Sequence, residues 1–574
     1  MAFRSAKLTQ HQDLNMKSIE EKVKKAKSEK KIFIIMGRYE AIRKGLVDRG
    51  WLEKVLDNQM MYIPPSSERL LIASLLRNTD FNLIWQPKFR PIKTDEAKKH
   101  IVNSIFRQRM YDFTTKDGLK NCVDSFSWNC IEGVTELNYY PRTHILNDKA
   151  SKDEFFEDYR QTAFIGFIKF LSSVEKFSEL FSIAGNVPLE SIDFTIQKIE
   201  LLLKIDDHED IDMSRIFDAC AKYPKDQRKI LTYIHQMING NRKFVLVDPL
   251  IIQQYLVDIK VCADEIEHRW PHLQYDGYNN TWIFKPLGNS SGNGIILENH
   301  FQRIREMLSI NAYKTILVQK YIERPMLIHG KKFDIRIYLM TSIQNGFVHI
   351  WLYKDCYVKF ATKRFKLNDL HRSIHVTNYA VQKHFMNEQD AVPYAKENMW
   401  TLRQLIDYFA TIEQPRLWES KIYPAIKKIL LAVIIPSLEV TNIENFNFEL
   451  NGADFMITYD YETSLIEVNS VPALFFSNSV VEMITNKLLD DVIKVVVDHS
   501  RDSSAYTGDF ELIYSQEMPK QENYADLTIV GRRIGRNIKR SESINKQLID
   551  VKMNTKTIQA YRKIADRYVY LQHV

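Results

Sequence analysis

From Phe333 to Tyr353 the chain carries two strand-like runs, Phe333–Ser342 and Phe347–Tyr353, divided by Asn345-Gly346, a pair that favours hairpin turns. The start of the first run alternates by residue type. Phe333, Ile335 and Ile337 fall on one face, toward a core, while Lys332, Asp334 and Arg336 fall on the other. Three ionisable groups along one strand face suit an anionic reacting centre, with cations to stabilise developing charge and an acid to orient them. A ladder of cross-strand ion pairs reads from the same residues.

Around this hairpin the pattern is that of an α/β protein. Ile32–Met36 is a short apolar run ending at Gly37, followed by a helical stretch with Ile42, Leu46 and Val47 that stops near Gly50. Strand, turn, helix is the opening of an α/β domain. Ile84-Trp85 begins another strand, and residues 150–240 read as helical. An acidic interruption at Asp206–Asp212 lacks the central glycine and closing glutamate of a calcium-binding loop, so it reads as a solvated acidic loop. A helix over 247–269 precedes strands at Thr281–Phe284 and Thr315–Gln319. Residues 421–440 read as one buried helix, and Ala453–Thr458 with Ser464–Val468 as a hairpin around Tyr459-Asp460. The resulting division is a basic arm (1–30), an N-terminal α/β domain (31–145), a helical insertion (146–245), a central domain (246–345), a C-terminal domain (346–500) and a polar to basic tail (501–574).

Two further constellations bear on chemistry. Glu467 and Asn469 are i and i+2 on a strand and so share a face, and hairpin pairing brings Asp454 opposite them. Two carboxylates and an amide oxygen are hard donors of the kind magnesium takes when nucleotide phosphates complete its shell. The polar outer face of an ordinary hairpin would look the same. Lys285 ends a strand and enters Leu287–Gly294, where glycines interleave with small polar residues; such a backbone can wrap phosphate oxygens, and a plain surface loop has the same composition.

Charge is unevenly placed. The net of +7 comes from ends at +5 (1–31) and +8 (531–574) on a body of about −6. Basic ends on an acidic body point to an acidic polymer as partner or to two solvated tails. No nucleic-acid motif accompanies the charge. The five cysteines (122, 130, 220, 262, 356) are scattered and read as reduced thiols. With no signal-peptide pattern and a longest apolar run, Ile429–Ile435, too short for a bilayer, the expectation is a cytoplasmic protein without a membrane partner.

Taken in order, the segments WIFKP…GNGI, VQKYIERPMLIHGKKFDIR, HVTNYAVQK, ELNGADFMI and LIEVNSVPAL resemble the tubulin tyrosine ligase-like family of ATP-grasp ligases, from about Lys31 to about Val497. IFIIMGRYEAIRKGLVDRGWLEK, IWQPKFRP, FTTKDGL and YYPRTHIL resemble its glycine-adding branch. The resemblance implies an ATP-grasp-like α/β fold whose central and C-terminal domains clamp ATP. It implies that Lys285, Ser291, Gly292, the hinge Gln319, Lys320, Tyr321 and Ile322, together with Lys332, Asp334, Thr377 and Asn378, bind the nucleotide. Asp454, Glu467 and Asn469 would hold Mg²⁺ or Mn²⁺, and Arg336, Lys359 and Asn469 would act in the reaction. The implied chemistry is transfer of phosphate from ATP to a γ-carboxylate in an acidic tubulin tail, then attack by the amine of glycine. The implied setting is the microtubule, in the cytoplasm and in the axoneme of cilia or flagella, with the chain acting as a monomer.

Departures from the family pattern leave two other readings. The loop written Ser-Arg-Gly-Arg-Gly-Ile in relatives is Ser290-Ser291-Gly292-Asn293-Gly294-Ile295 here. Lys359 stands where an arginine is expected, and His375-Val376-Thr377-Asn378 replaces a Cys-Asn-Asn form. Lysine keeps charge and loses the bidentate fork. These changes fit a microtubule-binding pseudoenzyme. A glutamate ligase is the other reading, since glutamate would need an extra cation that Lys359 could supply.

Overall fold

The computed structural model describes residues 16–37, 39–56, 68–86, 101–103, 112–124, 140–207, 224–270, 273, 276–288, 292–310, 315–344, 346–385, 398–439, 447–470, 472, 474, 478–517, 528–531 and 549–552. Its strands, in chain order, begin with β1 (Ile32–Ile35), β2 (Leu52–Glu53), β3 (Leu83–Trp85), β4 (Ile101–Asn103) and β5 (Thr143–Leu146). β6 (Phe181–Ser182) and β7 (Phe244–Val245) pair within the helical region. β8 (Trp282–Pro286), β9 (Ile296–Glu298) and β10 (Ile316–Lys320) follow, then β11 (Leu327–Ile328), β12 (Lys331–Gln344) and β13 (Phe347–Phe360). The last six are β14 (Met399–Thr401), β15 (Asn447–Ile457), β16 (Thr463–Asn469), β17 (Phe510–Glu517) and the pair β18 (Thr528–Gly531) and β19 (Ile549–Lys552).

Two sheets organise the molecule. The larger has the order β14-β13-β12-β15-β4-β3-β1-β2, with β11 on β12, β16 on β15 and β17 on β13. The smaller is the antiparallel set β5-β10-β8-β9. The expected hairpin is present and longer than its sequence signal, and Gly346 turns it with φ +82°.

Strand β12 divides its two faces as the alternation predicts, with one addition. Phe333, Ile335, Ile337 and Leu339 enter the core beneath the helix Tyr423–Glu439. On the opposite face Tyr338 and Met340 enter a second core with the helices Glu40–Asp48 and Ser479–Ile493. The polar stretch Lys332-Asp334-Arg336 therefore continues a face that is otherwise apolar core. All three are buried.

The helices Lys149–Ser173, Glu190–Asp207, Pro224–Asn239 and Pro249–Arg269 form the helical region and share a core with Trp282, Phe284, Ile316 and Val318 of the small sheet. Asp148 and Ser151 close a capping box on the first helix. Asp248 caps the last, with Pro249 at its first position, where a missing N–H costs nothing. The acidic interruption begins at the end of helix Glu190–Asp207, and its residues 208–212 lie outside the described set.

Three details differ from the sequence reading. Val47 does not join Ile42 and Leu46 in the core; it is 50% exposed on the outer side of its helix. The helix expected over 421–440 starts at Tyr423 after a wide turn, Trp418–Ile422, and runs through Pro436. The stretch expected to be polar tail supplies β17 to the large sheet. Among the described residues, Cys122, Cys262 and Cys356 are buried free thiols, and no helix is long and apolar enough to cross a membrane.

Candidate active site

A cavity of about 520 Å³ has walls from both sheets. The small sheet contributes Lys285 and Leu317, whose neighbours Phe284, Ile316 and Val318 point the other way into the helical core. The end of β16 contributes Glu467 and Asn469. A third wall is the turn Asp112–Thr114 with the start of helix Lys116–Asp124, closed by Tyr140.

Next to the cavity, β12 sits between β13 and β15, so the expected polar triad meets charges from both neighbours. Arg336 pairs across the sheet with Asp454, and Asp334 with Lys359. The Arg336 guanidinium grips Asp454 with two bonds, Nε to Oδ1 at 2.7 Å and Nη2 to Oδ2 at 2.8 Å. Gly452, two residues away, leaves room for that fork: a Cβ there would lie 3.1 Å from Arg336 Cδ. Lys359 Nζ is shared, 3.0 Å from Asp454 Oδ1 and 3.2 Å from Asp334 Oδ1. The contact to Asp334 is one of distance only, and Oδ1 of Asp334 is a buried oxygen with no directional hydrogen bond. Thr377 donates to the other oxygen, Oδ2.

The electrostatics follow from this crowding. Burial works against ionisation of Asp454, and the adjacent Arg336 and Lys359 outweigh it, holding the carboxyl well below the usual carboxylate range. For Asp334, burial wins over Lys359 and the pKa is raised. Lys285 and Lys332 are different. Burial pushes each ammonium down to about 8. Lys285 has Glu467 and Asp454 in its favour and Lys116 against it. Lys332 donates to the backbone oxygen of His375 at 2.5 Å and lies over the Tyr321 ring.

The residues expected to form a hinge are held by internal contacts. Lys320 is spent on Glu323 Oε1 at 2.7 Å and on the carbonyls of Asp276, Thr281 and Tyr321. The Tyr321 hydroxyl bonds His375 Nδ1 at 2.8 Å, while His375 Nε2 faces the carbonyl of Asp369. The carbonyl can only accept, so Nε2 carries the proton and Nδ1 accepts from Tyr321. Burial keeps this imidazole neutral, with a pKa of about 4. Ile322 is half-buried beside them. Gly292, at φ +76°, packs against Val376, Asn378 and Val381 so closely that a Cβ would come within 2.9–3.2 Å, which joins the glycine loop to the Thr377-Asn378 segment. Ser291 lies outside the described residues.

The proposed metal ligands converge. Asp454 pairs with Glu467 and Gly452 with Asn469 across the β15–β16 hairpin. Asn469 Nδ2 is 3.3 Å from Glu467 Oε1 and 3.5 Å from Asp454 Oδ2, and turning the amide presents Oδ1 instead. Among the described residues no three His, Cys, Asp or Glu side chains gather into a metal cage. Two carboxylates and one amide make an incomplete hard-oxygen set beside a cavity. That fits a magnesium ion whose remaining ligands come from phosphate and water.

The sequence profile of the tubulin-tyrosine ligase family matches residues 221–504. Over 553 residues the chain is 32% identical to tubulin glycylase 3B of Drosophila melanogaster, an alignment covering 92% of this chain and 73% of that protein. The chain belongs to the tubulin-tyrosine ligase family. Other members align along most of its length: tubulin glycylase 3A of Drosophila melanogaster at 30% identity (90% of this chain, 54% of that one) and protein monoglycylase TTLL8 of Mus musculus at 27% (88% and 66%). The chain thus spans little more than half the length of the second relative.

Residues of this family member that sequence reasoning left without a role also line the cavity, namely Thr114, Thr115, Lys116 and Tyr140. They lie in FTTKDGL and YYPRTHIL, segments legible only as marks of resemblance. A lysine and a tyrosine inside such segments were the available signal.

Proposed function

We propose that this chain is an ATP-dependent ligase that joins glycine to the γ-carboxylates of glutamates in tubulin C-terminal tails. The observation that carries the reading is the meeting, across one cavity, of Lys285 on the small sheet with Glu467 and Asn469 on the large one, with Asp454 paired to Glu467 across the hairpin, in a chain akin to tubulin glycylases.

Lys285, Lys332 and Lys116 offset the charge of the ATP phosphates, while Gln319, Tyr321 and Ile322 border the nucleotide from the hinge and Thr377 and Asn378 from the opposite segment. Asp454, Glu467 and Asn469 would hold Mg²⁺, which when bound supplies charge neutralisation at the phosphates. Arg336 and Lys359 stand beside the reacting carboxylate and stabilise negative charge as it develops. The γ-carboxylate takes the terminal phosphoryl group of ATP and ADP leaves; the amine of glycine then attacks the carbonyl carbon of this acyl phosphate, inorganic phosphate departs, and loss of a proton from nitrogen leaves an isopeptide bond. Glycine is favoured over glutamate because the relatives that align along most of the chain are glycylases. On the same reading the protein works as a monomer on microtubules, in the cytoplasm and in ciliary or flagellar axonemes.

The test is mass spectrometry of tubulin tails after incubation with the purified protein, Mg-ATP and either amino acid. Glycine mass steps are expected, and Glu467→Gln should remove them. Glutamate steps alone, or microtubule co-sedimentation without any product, would overturn the reading.

A further inference from the structure

Lys285 is set in place by a chain of hydrogen bonds that begins one strand beyond its neighbour. Its ammonium donates to Gln319 Oε1 at 2.7 Å. Gln319 lies directly opposite Thr143 in the β5–β10 pair, and its Nε2 donates to Thr143 Oγ1 at 3.0 Å. The Thr143 hydroxyl in turn donates to the carbonyl of Pro141 at 2.7 Å.

The polarity of this chain has one solution. A lysine ammonium only donates and therefore needs the oxygen end of the amide. Thr143 has one hydroxyl proton, and the Pro141 carbonyl takes it, so toward Gln319 its oxygen can only accept. The amide of Gln319 is buried, and the opposite orientation would set its N–H groups against an ammonium that is itself buried. Thr143 thus holds Gln319 in the orientation that Lys285 needs. The Tyr140 hydroxyl lies beside both Thr143 and Gln319 and closes the relay on the cavity side.

We propose that Thr143 is a positioning residue for nucleotide binding, acting through the amide of Gln319 on the direction of the Lys285 ammonium. The proposal rests on the reading that Lys285 meets the phosphates of ATP. It is tested by calorimetric affinity for a non-hydrolysable ATP analogue with Mg²⁺, together with the KM and kcat of glycine addition. Thr143→Val keeps the shape and loses the hydroxyl; it should weaken analogue binding about tenfold and raise the KM for ATP with kcat nearly unchanged. Thr143→Ser restores the relay and should bind within about twofold of wild type. In a Gln319→Ala background Thr143→Val should add no further loss, whereas damage to stability alone would persist there. Wild-type affinity in Thr143→Val alongside a loss in Lys285→Ala would overturn the relay, as would Thr143→Ser falling as far as Thr143→Val. Unchanged affinity in Lys285→Ala would instead overturn the reading of Lys285 on which the relay rests.

Discussion

Two groups of buried charges lie within the same site, and they are held in opposite ways. Asp334, Arg336, Lys359 and Asp454 close on one another, with each cation within 3.2 Å of a carboxylate. Lys285 and Lys332 face neutral acceptors, an amide oxygen and a backbone carbonyl. The first group has its counter-charges supplied by the fold. The second carries positive charge that the fold does not balance by direct contact, and burial lowers both pKa values to about 8. The difference separates buried charges that the fold balances by contact from buried cations held only by neutral acceptors.

Breaking the closed group should have the largest effect. Asp454→Ala strands Arg336 and leaves Lys359 with Asp334 alone, and should cost about 3–5 kcal/mol of stability as well as all glycine addition. Denaturant titration together with the tail-mass assay would check both; a variant as stable as wild type would contradict the pairing argument. The second group should respond in the opposite sense. Lys285→Met removes a buried cation, so stability should hold or rise, while the KM for ATP rises by at least about tenfold.

The smallest effect is a pH dependence that separates stability from binding. A lysine lowered from 10.5 to about 8 holds fewer protons in the folded than in the unfolded chain across that window. Stability from Lys285 and Lys332 therefore increases as pH rises from about 8 toward 10.5, while affinity for the anionic nucleotide falls. Melting of the nucleotide-free protein and analogue binding, each followed through that window and compared with Lys285→Met, should show opposite slopes that the substitution reduces.

How much of this was readable in the chain depends on how local the signal is. The division of β12 into apolar and charged faces was legible because a strand has a period of two and one face must be covered. The hairpin carrying Asp454 and Glu467 was legible because its two halves lie close in sequence. The bond between Arg336 and Asp454 was not, since the two are 118 positions apart and no local pattern specifies which strand lies beside β12. The wall from Thr114 to Lys116 was hidden for the same reason. Val47 misled because an apolar residue next to a core position looks like its continuation until the helix is set against a surface. Of the basic ends, 1–31 and 531–574, residues 1–15, 532–548 and 553–574 lie outside the described residues, so the expected role of these ends stays with the sequence.

One seam in the large sheet carries a further consequence. The outer edge of β15 is divided: Gly452–Ile457 pairs with β16, while Asn447 and Phe448 pair with β4 from the N-terminal region. The strand that holds Asp454 is thus completed by residues more than three hundred positions earlier in the chain. Cut the chain after β5, and β15 would be left with an open run of backbone donors and acceptors, a surface that other strands add to readily. The family's matched segment, 221–504, leaves out β4, the strand that completes this edge of β15. The N-terminal strands and the hairpin of β15 and β16 are parts of one sheet, each edge covered by the other's backbone.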